Sequence, residues 1–137
     1  MEITIPATKD APYSNKAIYD LIENFLRGRQ TKNMHRIVEM CHPSLEYRGE
    51  SPEKAIHGIE LLKYRMQEVF DQTLSFHFNL LRVLWDDTLS IGTAIIEYEF
   101  VQAETKKGER VYEIAVFKIT NNLLSYYVSS KTVLKRW

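Results

Sequence analysis

The C-terminal half of the chain alternates apolar and polar residues with the two-residue period of β-strands. Four such runs lie within residues 74–134, and they are rich in Val, Ile, Tyr, Phe and Thr. Turn signals separate the runs, at Asp86-Asp87, Lys106-Lys107-Gly108 and Asn121-Asn122. Consecutive strands joined by short turns pair side by side, so the sequence predicts an antiparallel meander of four strands.

The first run predicts one buried face and one irregularity. Leu74, Phe76, Phe78 and Leu80 share a face because they lie two residues apart, and we expect that face to be buried. The alternation breaks over residues 81–85, which predicts a β-bulge there or a strand covered on both sides.

The next two runs predict a curved sheet with apolar residues on both faces. At roughly 3.3 Å per residue, the run from 88 to 102 would be about 50 Å long, so we expect it to bend at Gly92. In the run that follows, Glu113 shares a face with Val111, Ala115, Phe117 and Ile119. Such a sheet needs helices on its concave side, and another protomer or more chain on its convex side.

Apolar residues at helical spacing predict helices before the meander. Ser14 is the predicted N-cap of the first helix, which ends near Gly28. Thr31 or Asn33 caps a second helix, which Pro43 stops. The apolar stripes of these two helices are Ile18, Leu21, Ile22, Phe25 and Leu26, then Met34, Ile37, Val38 and Cys41.

The remaining N-terminal segments complete the predicted order of elements. Residues 45–49 form a short strand, residues 51–53 one helical turn, and residues 59–70 a third helix. Residues 1–12 are an extended lead-in, and residues 1–137 form one domain. The predicted fold is therefore α+β, with three N-terminal helices packed on a strongly curved antiparallel sheet.

Composition and charge restrict the kinds of molecule that this chain is expected to bind. Eighteen basic and eighteen acidic residues give a net charge of zero, which argues against nucleic acid as a partner. The single cysteine, Cys41, excludes an intrachain disulfide framework and favours a cytoplasmic chain. No run approaches the roughly 18 apolar residues that a membrane span needs. The four histidines have no metal-ligand spacing, so we expect neither a metal nor another cofactor.

Several segments resemble, in order, one known superfamily. Residues 33–40 resemble its second helix, residues 45–49 its first strand, and residues 57–62 the glycine-led start of its third helix. With the closing meander, the chain over about residues 14–134 resembles the nuclear transport factor 2-like (NTF2-like) superfamily. This superfamily includes SnoaL-like polyketide cyclases, ketosteroid isomerases and scytalone dehydratases.

The resemblance implies a cone-shaped fold with an apolar pocket for a small molecule between helices and sheet, and often a homodimer through the convex face. The catalytic residues of the superfamily's enzymes, however, are not matched in this sequence. Phe25 stands where the isomerases place a tyrosine, and Arg48 and Ala115 where they place acids. Lys131 stands where the SnoaL-like cyclases carry an acid. Whether the chain is an enzyme therefore stays open.

Six residues are candidates for the site. Glu113 and Glu46 are candidate bases, and the alternative for Glu113 is a solvated or ion-paired carboxylate at a strand end. Arg48 could anchor an anionic ligand or be a surface arginine. Tyr47 and Tyr126 could donate hydrogen bonds to a ligand or pack in the core, and Phe25 is a candidate wall of the pocket.

Three function classes follow from this sequence. The first is an isomerase, cyclase or dehydratase that acts on a small hydrophobic molecule by acid–base chemistry. The second is a non-catalytic module that binds an apolar or anionic ligand. The third is a protein-interaction scaffold that uses the outer face of the sheet, a class supported only by fold analogy.

Overall fold

Helices cover one face of a curved, six-stranded mixed sheet in the computed structural model, which describes residues 15–49 and 55–137. The elements in chain order are α1 (Lys16–Gln30), α2 (Met34–Glu39), β1 (Cys41–Arg48), β2 (Ile56–His57), α3 (Ile59–Gln72), β3 (Thr73–Asp86), β4 (Ile91–Gln102), β5 (Gly108–Thr120) and β6 (Leu123–Arg136). The sheet order is β2-β1-β6-β5-β4-β3. The predicted α+β fold and the antiparallel meander of β3 to β6 are confirmed.

The sheet is mixed because β1 pairs with β6 in parallel. A purely antiparallel sheet was therefore the wrong expectation at this one position. The chain between them, through β2, α3 and β3 to β5, brings β6 back alongside β1, with both strands running the same way. None of the helices in residues 15–49 and 55–137 is long and apolar enough to cross a membrane.

Asparagine side chains begin the first two helices. Asn15 accepts a hydrogen bond from the Ile18 amide at 3.2 Å, and Asn33 accepts one from the Arg36 amide at 3.1 Å. The second contact confirms one of the two predicted caps, whereas Ser14 lies outside the described residues. The first helix ends at Gln30, two residues after Gly28 and thus near the predicted end. A Cβ on Gly28 would lie 2.9 Å from Ile37 Cγ1, so this glycine lets α2 approach α1 closely.

The second helix is shorter than its apolar stripe predicts. It ends at Glu39, and Cys41 already belongs to β1, where it pairs with Leu124. Pro43 therefore lies within a strand and does not stop a helix, and the β1–β6 register shifts between Cys41 and Glu46. Proline has no amide hydrogen for the ladder, which accounts for an irregularity there. The predicted helical turn over residues 51–53 falls outside the described residues.

The structure confirms the predicted bulge in β3 and corrects two strand details. The β3–β4 register shifts between Leu80 and Arg82, inside the stretch where the alternation breaks. A second shift, between Thr73 and Ser75, leaves Leu74 53% exposed, so the prediction that Leu74 is buried was wrong. Residues 87–90 form a turn, so β4 begins only at Ile91 and has 12 residues.

The core lies between the helices and the inner face of the meander. Residues that alternate inward from β3 to β6 are buried, and they meet the buried stripes of α1 and α3. Burying a large apolar side chain stabilises the fold by about 1.5–3 kcal/mol. The largest members of this core are Tyr47, Tyr127, Phe25, Phe78, Phe117, Ile22, Leu26, Ile37, Leu45, Leu62, Met66 and Ile96.

Candidate functional site

A cavity of about 600 Å³ opens at the end of the sheet where β3 and β5 begin and β4 and β6 end. The C-terminal turn of α3 and the last residues of α1 complete its wall. The lining residues are Arg29, Arg65, Val69, Asp71, Gln72, Thr73, Phe76, Tyr98, Phe100, Gln102, Ala103, Glu104, Thr105, Glu109, Val111, Lys131 and Val133.

The lining is mixed, so the expectation of an apolar pocket needs correction. Phe76, Tyr98 and Phe100 form an aromatic wall, with ring centroids 6.3 Å apart for Phe76 and Phe100 and 6.2 Å for Tyr98 and Phe100. Six charged side chains line the same space. They are brought there because the cavity lies at strand and helix ends, where the chain leaves the core.

Glu113 lies directly behind this lining. Its residue has no exposed surface, and its Oε1 atom is 3.8 Å from Lys131 Nζ. Glu113 and Lys131 are opposite each other on β5 and β6. Lys131 lines the cavity and Glu113 does not, so of the two only the lysine borders the open space. Among residues 15–49 and 55–137, Oε1 finds no hydrogen-bond donor.

Tyr127 holds the other oxygen of this carboxylate. Its hydroxyl donates a hydrogen bond to Glu113 Oε2 at 3.1 Å. Burial raises the pKa of Tyr127 well above its usual value, and the charge of Glu113 raises it further, while Arg29 opposes both. The hydroxyl therefore stays protonated near neutral pH and remains a donor.

Two further aromatic rings fix Tyr127 in place. Tyr47 stacks on it with ring centroids 5.3 Å apart, and Phe25 lies 5.6 Å from it. Phe25 and Tyr47 are fully buried and do not line the cavity. A Cβ on Gly49 would lie 2.1 Å from the Tyr47 hydroxyl oxygen, so glycine at 49 makes room for this ring. Phe25 and Tyr47 thus support the buried group and do not form a pocket wall.

Comparison with known proteins identifies the fold. No protein-family model matches the chain, and no curated protein matches it either. A structure titled as an LEH-like epoxide hydrolase of M. tuberculosis superposes with a TM-score of 0.71 at 11% identity, over 85% of this chain and 83% of that one. The Δ5-3-ketosteroid isomerase of Mycobacterium sp. superposes with a TM-score of 0.72 at 9% identity, over 85% and 98%.

A third solved structure carries the name of the predicted superfamily. An NTF2-like protein of unknown function from Burkholderia pseudomallei superposes with a TM-score of 0.74 at 5% identity, over 86% of this chain and 92% of that one. The chain has the NTF2-like fold. This confirms the fold expected from the order of its sequence patterns.

Within this NTF2-like fold, three predicted site residues lie on the other side of the sheet. The β1–β6 register aligns Glu46 with Tyr126 and Tyr47 with Tyr127. Because neighbouring residues of a strand point to opposite faces, Glu46, Arg48 and Tyr126 face away from the helices, whereas Tyr47 and Tyr127 face inward. The structure therefore does not bring these three residues together with Glu113.

These outward side chains have partners on their own face. Glu46 lies 3.6 Å from Arg48 Nε and 3.8 Å from His57 Nε2. The Lys118 ammonium lies 5.4 Å from the centroid of the Tyr126 ring. A surface ion pair such as that of Glu46 with Arg48 contributes little to stability, about 0–1 kcal/mol. Among the described residues, no three His, Cys, Asp or Glu side chains come close enough to hold a metal ion.

Sequence reasoning did not select Arg29, Tyr127 and Lys131 as functional residues, although each carried a signal. Arg29 continues the α1 stripe four residues after Phe25 and is only 2% exposed. Tyr127 and Lys131 share the inward face of β6 by simple alternation. What the alternation could not decide was which of its two faces points toward the helices.

Proposed function

We propose that this NTF2-like protein acts on a small, largely apolar molecule by acid–base chemistry in the cavity, with Lys131 and Glu113 as the working pair. The observation that carries the proposal is the fully buried Glu113, bonded by Tyr127 at 3.1 Å and lying 3.8 Å from a lysine of the cavity wall. Solved neighbours titled as an epoxide hydrolase-like protein and a ketosteroid isomerase support acid–base chemistry on small molecules.

The roles of the two residues differ because only one reaches the cavity. Lys131 exchanges a proton with the bound molecule, since of the two residues only Lys131 lines the space. Glu113 acts through Lys131, because its carboxylate holds the lysine in place and compensates its charge. Charges interact more strongly in a water-poor interior than in bulk water, so the carboxylate holds the ammonium group firmly in position. A positioned ammonium group can donate a proton to the bound molecule.

A second candidate function is binding without catalysis. It is favoured by the screening of Glu113 from the cavity, since a base needs hydrogen-bond reach to the proton it removes. In this case Glu113 and Lys131 take no part in a reaction, and the aromatic wall of Phe76, Tyr98 and Phe100 binds the ligand. The remaining sequence candidates, Glu46, Arg48 and Tyr126, have no part in either version because they face the other side of the sheet.

Steady-state kinetics on small ketones and epoxides test the proposal. The panel consists of cyclic unsaturated ketones, including a Δ5-3-ketosteroid, and of aliphatic and cyclic epoxides. Lys131→Met should lower kcat by about 100-fold or more, in the usual range for a general acid or base. Glu113→Gln should lower kcat with little change in KM and should alter the pH profile.

Glu109→Gln is the matched control, because Glu109 also lines the cavity but bonds Arg136 at 3.1 Å. It should retain the activity of the parent protein. If compounds of the panel bind but none is turned over, the protein is a binding module and the enzyme proposal is wrong. Turnover that is equal in the parent protein and in Lys131→Met would remove this pair from the chemistry.

We also propose that two copies pair through the outer face of the sheet. Ile114 and Val116 are 42% and 41% exposed in the middle of β5, next to the outward Ile95 and Val128 of the neighbouring strands. Contiguous exposed apolar surface at the centre of a sheet marks an interaction surface. The homodimer implied by the resemblance would cover this patch.

A further inference from the structure

The charged groups of the cavity are arranged by depth. Arg29 is 2% exposed, and the Lys131 side chain is 24% exposed. The acids Asp71 and Glu104 are exposed, and Glu109 is partly exposed. Arg65 is partly exposed as well, so Arg29 is the one buried charged side chain among the described residues that line the cavity.

Arg29 is held at the end of the aromatic wall. Its guanidinium lies 4.8 Å from the centroid of the Phe78 ring. Phe78 in turn packs on Phe76 at 5.4 Å and on Tyr98 at 5.0 Å, and both of these line the cavity. A molecule lying along Phe76 and Tyr98 would thus have an arginine at one end of its contact surface.

The chemistry of arginine indicates which ligand group would bind at this end of the cavity. A guanidinium presents a planar fork of N–H donors that matches the two oxygens of a carboxylate. In a buried place the contact is worth more than on the surface, because less water competes for it. The aromatic wall at the same time favours an apolar body of limited size.

We propose that the cavity takes a small organic carboxylate, with its apolar body against Phe76, Tyr98 and Phe100 and its carboxylate at Arg29. The inference rests on the proposed function, since it names the substrate class of the same cavity. Arg29 is the anchor, and Lys131, paired with Glu113, contacts the reacting part of the molecule. Arg29 and Lys131 line the same cavity, so one bound molecule can contact both.

Binding of matched pairs of probes tests this assignment. Phenylacetate, cinnamate and cyclohexanecarboxylate are compared with their primary amides, which have nearly the same shape without the charge. Calorimetry on the parent protein should give at least tenfold tighter binding of each acid than of its amide. In Arg29→Gln this preference should disappear, and in Arg29→Lys it should be reduced but present.

Arg65→Gln is the matched control, because Arg65 also lines the cavity but lies 3.5 Å from Glu68. It should keep the preference for acids. Equal binding of acids and amides by the parent protein, or binding of neither, overturns the inference. So does an unchanged preference in Arg29→Gln, or loss of the preference in Arg65→Gln alone.

Lys131→Met separates this inference from the proposed function. Suppose that Lys131→Met still binds the acids and that the parent protein turns over no compound of the panel. The carboxylate site would then be supported, and the enzyme proposal would be wrong. Turnover of uncharged ketones or epoxides without any acid preference would do the reverse. If Arg29→Gln does not fold, the decision rests on Arg29→Lys, which keeps the charge but loses the planar fork.

Discussion

The Tyr127 hydroxyl lies 3.1 Å from Glu113 Oε2, and both residues are removed from solvent. Tyr127→Phe deletes this donor and leaves a buried carboxylate oxygen without its hydrogen bond. The free energy of unfolding should fall by about 1–3 kcal/mol, measured by urea denaturation. Tyr126→Phe removes a neighbouring hydroxyl on the opposite face and should change stability by less than about 0.5 kcal/mol. Equal effects of the two substitutions would contradict the assigned contact.

The raised pKa of Tyr127 predicts a loss of stability at alkaline pH. The neutral hydroxyl is favoured in the folded state, so this contribution is fully present below the ordinary tyrosine pKa of 10.0. It is lost as pH rises from there through the higher folded-state pKa. Denaturation series between pH 8 and 12 should show a steeper decline in the parent protein than in Tyr127→Phe. Parallel curves would rule out this ionisation as the cause.

Cys41 should be unreactive in the folded protein. It is 4% exposed, and burial raises the pKa of its thiol to about 12, so little thiolate forms at neutral pH. At pH 8, Ellman's reagent should label the native chain far more slowly than the chain in urea. Rapid labelling without denaturant would show that the thiol is accessible and would place it outside the core.

Gly92 should tolerate no side chain. A Cβ there would lie 2.3 Å from Phe117 Cζ, and this ring is fully buried and stacked 5.9 Å from Trp85. Gly92→Ala should therefore destabilise the protein by about 1–3 kcal/mol, measured by urea denaturation. Gly108→Ala is the control, because its Cβ would meet the Trp137 ring, which is 49% exposed and has room to shift. A larger loss at Gly108 than at Gly92 would reverse this expectation.

The proposed pairing through the outer face predicts a change in oligomeric state. Ile114→Lys puts a charge in the middle of the exposed apolar patch and should convert a dimer into a monomer. Light scattering after size-exclusion chromatography gives the mass directly. Leu61→Lys changes another exposed apolar residue, on α3, and should leave the dimer intact. A parent protein that is monomeric at all concentrations would refute the pairing.

Local patterns in the chain were sufficient for the three helices, for β1 and for the meander, in their order, but they did not predict the two-residue strand β2. Alternation and turn residues predicted β3 to β6, because both depend on neighbours only a few residues away. The same locality explains the errors. The helix expected to reach Cys41 ends at Glu39, because Cys41 pairs with Leu124 of β6 in the sheet. The shift that exposes Leu74 arises from its pairing with β4.

The sequence by itself determined an α+β chain whose Glu113 lies among apolar residues on one strand face. Only the tertiary structure decided that this face meets the helices, that Lys131 lies opposite Glu113, and that Glu46, Arg48 and Tyr126 point away. Alternation assigns residues to two faces but does not say which face is inward, because that choice depends on packing between distant segments. Arg29 shows the same limit, since its helical spacing is local while the cavity it lines is built from six elements.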